Sequence, residues 1–228
     1  MTARLHFADA GEAADLAAFL ARLIHYDKAA AVRLQAAGDT LAVFGRPPSF
    51  EVLVVRTARL VKPYEYGLDT TLDVTVSAGE FLEHVAESAQ SVAAEGVADV
   101  PGAVTGPPWA GVLPPRGGWR QEPGLPVPDA MRALVKKAVA EFRARVEELP
   151  AERRVRAELD RVGREIWSRP VGDTELPVRA AHAAQSLGFL RGDALTLLSS
   201  GAWLRLRTAY GSVVVRRAGV GGLTVTPA

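Results

Sequence analysis

The stretch from Pro101 to Pro128, PGAVTGPPWAGVLPPRGGWRQEPGLPVP, constrains the chain more than any other. It holds eight of the 15 prolines and six glycines. Proline has no amide to donate and fixes φ, and glycine weakens regular structure. The segment therefore predicts a break that neither helix nor sheet runs through. Three parts follow: an N-terminal α+β subdomain over 1–100, a Pro/Gly-rich connecting segment over 101–128, and a C-terminal helical hairpin plus α+β subdomain over 129–228.

On the N-terminal side, Arg4 to Ala8 alternates like a short strand. Asp9 is placed to cap a helix over 11–26, where Leu16, Phe19, Leu20, Leu23 and Ile24 recur at helical spacing. The period then changes to two. Val32, Leu34 and Ala36 lie on one face, Gly38-Asp39 is a turn, and Leu41 and Val43 continue the apolar face. Phe50 to Val61 and Leu72 to Val76 complete a four-strand meander. Ser77 caps a helix over 79–95.

Beyond the break, Asp129 is the expected cap of a helix reaching Val146. Pro150 opens a second helix at its first position, and Gly163 ends it. Ile166 to Val171 reads as a strand. A helix then runs from Asp173 or Thr174 to about Gly188, followed by strands at Leu195–Leu198, Trp203–Arg207, Val213–Arg216 and Leu223–Thr226.

The two sides match. With a shift of 163, Ile24 falls on Leu187, Val32 on Leu195, Leu34 on Leu197, Gly38 on Gly201, Leu41 on Leu204 and Val43 on Leu206, without a gap. After shorter loops, Val52–Val54 meets Val213–Val215 and Leu72–Thr75 meets Leu223–Thr226. The expected fold is α+β, with two similar β-α-β-β-β-β halves from a pseudo-twofold duplication and helices packed on antiparallel sheets. In topology the β-α-β4-α order resembles the saddle of TATA-binding proteins, although no motif of that family is present.

Composition narrows the chemistry. Cysteine is absent, which excludes disulfides and thiolate metal sites. The net charge of +1 gives no chain-wide attraction to polyanions. It conceals a balance of −6 over 1–100 and +5 over 176–228. No leader is evident at the start and no run is long enough to span a membrane, so a soluble cytoplasmic protein is expected. The excess of arginine over lysine suggests a GC-rich bacterial genome. There is no P-loop, dinucleotide fingerprint or nucleophile elbow.

Glu80, His84 and Glu87 share a helix face at i, i+4 and i+7, which reads as a solvated face rather than a metal site. Asp69 and Asp73 read as turn and edge residues rather than an acid–base pair. His182, set among alanines, reads as a structural histidine. No catalytic residue, metal or cofactor is expected.

The sharper candidates are aromatic and basic. Trp203, Arg205 and Arg207 point to one face of their strand, with Arg216 on the neighbouring strand. In the dividing stretch stand Trp109, Arg116, Trp119 and Arg120. Tryptophan is costly to expose, so the two indoles either anchor the segment by packing or serve a partner as hot spots. These residues support a non-enzymatic interaction protein, a scaffold or regulator whose partner is a protein. The alternatives are a small-molecule or anion pocket between the halves, or nucleic-acid binding through the basic C-terminal sheet face. The oligomeric state stays open.

Overall fold

The computed structural model describes residues 3–90 and 96–217. The chain folds as two compact units, Met1–Leu113 and Pro114–Ala228. The Pro/Gly stretch is shared between them, 101–113 in the first and 114–128 in the second.

The first unit contains β1 (Arg4–His6), α1 (Ala10–Tyr26), β2 (Ala31–Ala37), β3 (Thr40–Gly45), β4 (Leu53–Arg59), β5 (Thr71–Ser77), α2 (Ala78–Gln90) and β6 (Val97–Asp99), with a 3-10 turn at Pro108–Gly111. Asp9 caps α1 as its position implied, its carboxylate accepting from the Glu12 amide. The α1 stripe of Leu16, Phe19, Leu20 and Leu23 is buried together with Val32, Leu34, Leu41, Val43, Phe81 and Val85. Residues 91–95, the end of the helix expected over 79–95, lie outside the described residues.

The sheet of this unit is antiparallel in the order β5-β2-β3-β4. The expected four-strand meander is therefore corrected to a Greek key, since the fourth strand returns beside the first. The return path explains the order. Leu60 donates to the Asp39 carbonyl and Tyr64 to that of Gly38, so the chain leaving β4 crosses the β2–β3 turn. Tyr64 is buried there, and β5 then begins opposite Ala37.

The second unit contains β7 (Arg120–Glu122), α3 (Pro128–Glu147), α4 (Arg156–Trp167), α5 (Val178–Ser186), β8 (Leu195–Ser200), β9 (Trp203–Thr208) and β10 (Gly211–Arg216). Its sheet is antiparallel in the order β7-β8-β9-β10. The strand expected at Leu223–Thr226 lies outside the described residues. The edge place beside β8 is filled instead by β7, from within the Pro/Gly stretch. Arg120, Gln121 and Glu122 are a gap between Gly118 and Pro123 long enough for three ladder residues opposite Ser199, Leu198 and Leu197. The expectation that no strand enters this stretch is corrected on that point.

Several element boundaries also differ from expectation. Pro128 occupies the first turn of α3 and Val127 its cap position, so Asp129 is not the cap and pairs with Arg132 at 2.6 Å. Pro150 precedes a 3-10 turn at Ala151–Arg153, and α4 starts only at Arg156. Gly163 lies inside α4, which continues to Trp167. A Cβ there would sit 3.3 Å from the Trp167 ring and 3.8 Å from Phe142, so this glycine serves close side-chain packing rather than termination. Ile166 is helical and buried, and of the strand expected to Val171 only a single bridge, Pro170 to Pro177, remains. Pro177 caps α5, which begins four to five residues later than Asp173 or Thr174.

The duplication holds at the level of register. Leu34 opposes Val43 and Ala36 opposes Leu41 in the first sheet. Their counterparts shifted by 163, Leu197 with Leu206 and Ser199 with Leu204, oppose each other in the second. The turns between carry Gly38 at φ 60° and Gly201 at φ 54°, a left-handed conformation that costs glycine least. The third strand needs a correction. Val43 opposes Arg56 and Leu206 opposes Val213, so Arg56–Ala58 is the counterpart of Val213–Val215, four residues on from Val52–Val54. Four is even, so each residue keeps its face and the hydrophobic pattern alone cannot detect the slip.

Candidate functional site

The second sheet brings five of the eight singled-out residues together. Alternation along β9 places Leu204 and Leu206 in the core and Trp203, Arg205 and Arg207 on the opposite face. Across the ladder Trp203 faces Arg216, Arg205 faces Val214, and Arg207 faces Ser212. The Arg216 guanidinium stands 5.2 Å from the centre of the Trp203 ring. That of Arg205 stands 5.7 Å from the centre of the Trp119 ring. Both lie within cation–π range.

Trp119 reaches this face because the preceding turn is pinned. Its indole N–H donates to the Pro115 carbonyl at 3.0 Å, and the Ser200 hydroxyl donates to the Gly117 carbonyl at 3.3 Å. Arg116 is exposed on that turn, and Arg120 is exposed at the sheet edge opposite Ser199. Both belong to the rim of the face and not to its centre.

The electrostatics of the face are one-sided. Among the described residues no carboxylate pairs with Arg205, Arg207 or Arg216. Arg205 is partly buried, and its Nε is shut off from solvent with no hydrogen-bond acceptor among the described residues. Burial first, and then repulsion from Arg207, holds its pKa below the usual guanidinium range. The second unit as a whole carries 19 basic and 12 acidic residues, a net +7, whereas the first carries −6. Chain-wide neutrality is thus an average over two bodies of opposite sign.

The first unit shows what the same framework looks like without this face. The counterparts of Trp203, Arg205 and Arg207 are Thr40, Ala42 and Phe44. There the chain at 103–110 is tied to the sheet. Val104 donates to the Thr75 carbonyl, and Arg33 donates to the Ala110 carbonyl while pairing with Asp73 at 2.7 Å. Gln35 also donates to Asp73. Asp73 is therefore an anchor, and Asp69 closes a turn with Tyr66 through the backbone. Trp109, the remaining candidate, lies in this unit at a groove of about 440 Å³, with Asp27, Arg46, Ser77 and Thr105 among its lining residues.

Two of the histidines, His84 and His182, have contacts beyond their own helix turns, and His84 is half-buried rather than on the solvated face expected for it. His84 Nδ1 is 2.9 Å from the Asp99 carbonyl oxygen. Among the described residues no three His, Asp or Glu side chains converge as a metal site. His182 stacks on Trp167 with ring centres 4.6 Å apart, and burial lowers its pKa. Sequence reasoning missed the Arg33–Asp73 tie and the groove residues Asp27 and Arg46. Arg33 and Asp73 are 40 positions apart and meet only through the β2–β5 pairing, so no local signal marks them.

Each unit is thus an antiparallel sheet with helices on it, and each matches a family model of its own. Residues 1–111 match a domain of unknown function (DUF8010), and residues 114–220 match another (DUF8185). No curated protein matches the chain. Among solved structures, a DNA polymerase sliding clamp from Pseudomonas aeruginosa determined with a ligand is similar at 13% identity and a TM-score of 0.47. The match covers 95% of this chain and 66% of the clamp. A second structure of that clamp gives 12% identity and a TM-score of 0.46, covering 99% of this chain and 67% of the clamp. The chain spans about two thirds of the length of those clamps. Among the described residues no helix is long and apolar enough to cross a membrane.

Proposed function

We propose that the chain is a non-enzymatic interaction protein, and that its working surface is the Trp/Arg face of the second unit, which takes an anionic macromolecular partner. The observation that carries this reading is the set of three arginines without a carboxylate partner among the described residues, two of them against indole rings. Arginine and tryptophan are the residues most enriched where partners bind tightly. A cation that is already partly desolvated gives up less hydration when a counter-charge arrives.

Heparin tests the reading as a sequence-free polyanion, with tryptophan emission as the signal from the full-length chain. Saturable binding that weakens with salt is expected. It should be lost on combining Arg205→Gln, Arg207→Gln and Arg216→Gln. Heparin binding that persists in the triple variant would refute the assignment of this face.

A further inference from the structure

We infer that the occupant of the Trp/Arg face is single-stranded nucleic acid, an inference that rests on the reading of the face as an anion-binding surface. Two features carry it from a general anion to this class.

The first is the interleaving of planar groups with cations. Trp203, Arg205 and Arg207 recur every second residue along β9, a repeat of about 7 Å at ~3.4 Å per residue. Trp119 lies over the middle one and Arg216 over the first. A sheet surface that alternates stacking planes with phosphate-seeking guanidinium groups is suited to a strand with splayed bases. Thr196, half-buried, stands opposite Arg207 from β8 and offers a small hydroxyl with a donor and an acceptor for a base edge.

The second is charge. The unit that bears the face is +7, and the acidic residues that neutralise the chain belong to the other unit. The objection raised by a net charge of +1 therefore does not apply to this surface. An acidic peptide would satisfy the guanidinium groups but has no planar bases for the two indoles.

The experiment uses the full chain and follows tryptophan emission during titration with an oligo-dT of about 20 nucleotides, the same length of duplex DNA, and polyglutamate. Oligo-dT is expected to quench and to bind most tightly of the three. Three neutralised phosphates at a slope of about −0.7 each give a log K against log salt slope near about −2. Removing the two exposed cations, Arg207→Gln with Arg216→Gln, should bring the slope below about −1 in magnitude. Trp203→Ala should weaken binding about tenfold, and Trp203→Phe, which keeps a stacking ring, should recover most of it. The phenylalanine and glutamine variants separate loss of stacking or charge from loss of fold.

Polyglutamate or duplex binding as tight as oligo-dT would overturn the inference. So would oligo-dT binding that none of these variants alters. If heparin or polyglutamate binds through these arginines and oligo-dT does not, the inference falls and the anion-binding face stands. If no polyanion binds, both fall together.

Discussion

Replacing Arg205 by methionine should make the second unit more stable while weakening its binding function. The Arg205 Nε is closed to solvent and has no acceptor among the described residues. A buried donor left in that state costs about 1–3 kcal/mol. Methionine keeps most of the aliphatic stem, so packing of the stem is largely retained. The substitution removes the cation–π pair with Trp119, whose 5.7 Å separation is near the outer limit for such pairs. That pair contributes about 0.5–1 kcal/mol. Relief of the Arg205–Arg207 repulsion acts in the same direction as removing the orphan donor. The net is a stabilisation of about 1 kcal/mol. For a unit running from 114 to 228, with an unfolding entropy of about 2.1 cal/mol/K per residue, this raises the melting temperature by about 4 °C. Differential scanning calorimetry of the full chain would resolve it, with Arg207→Met, at an exposed site, as a control expected to change little. A fall of more than about 2 °C for Arg205→Met would show that the guanidinium supports the fold, and that it is not held there for a ligand.

Three further outcomes are expected. Gly211→Ala should destabilise the second unit by about 2–4 kcal/mol: its φ of 152° disfavours a side chain, and a Cβ would stand 2.6 Å from the buried Phe189 ring. Phe189→Leu in that background should recover part of the loss by thermal melt, and a Gly211→Ala melt within about 1 °C of the parent would contradict the geometry. Because burial depresses the folded-state pKa of His182, the unfolded chain takes up more protons as pH falls below about 6.5. The associated stability should be intact above that pH and decline below it, and His182→Phe should flatten the dependence in pH-dependent urea melts. Asp73→Ala removes the anchor of Arg33 and with it the tie to Ala110. Amide exchange over 103–110 should accelerate about tenfold while the pair, being partly exposed, changes global stability by only about 1 kcal/mol; unchanged exchange there would show that the backbone bonds alone hold the segment.

Much of the fold is legible in the sequence because its signals are local. Asp9 and the Leu16–Phe19–Leu20–Leu23 stripe mark α1, and alternation at 32–43 and 195–206 marks the paired strands. The even spacing of Trp203, Arg205 and Arg207 is enough by itself to place them on a common face. The errors fall where a local signal has a second solution. Asp129 beside Pro128 satisfies the rule for a cap, yet proline's fixed φ and missing amide make it the better first helical residue. Gly163 looks like a helix end, yet the absence of a side chain also allows the Phe142 and Trp167 rings to approach.

The position of Trp119 over Arg205 is not legible at all. The two are far apart in the chain, and each is singled out for its own reasons. They meet because three residues free of proline and glycine, Arg120–Glu122, pair with β8 at the edge of the sheet. The same holds for Asp73 against Arg33, which are 40 positions apart, and for Arg56 against Val43, where a four-residue slip leaves every face unchanged.

The sequence by itself determined the helices, the strands, their faces and the repetition of one α+β pattern, because these follow from periodicity and backbone chemistry within about twenty residues. Only the tertiary structure decided which strand lies at each edge of the sheets and which turn closes over the arginines. Those outcomes depend on pairings between residues distant in the chain, where long loops close at little extra entropic cost and local pattern no longer discriminates.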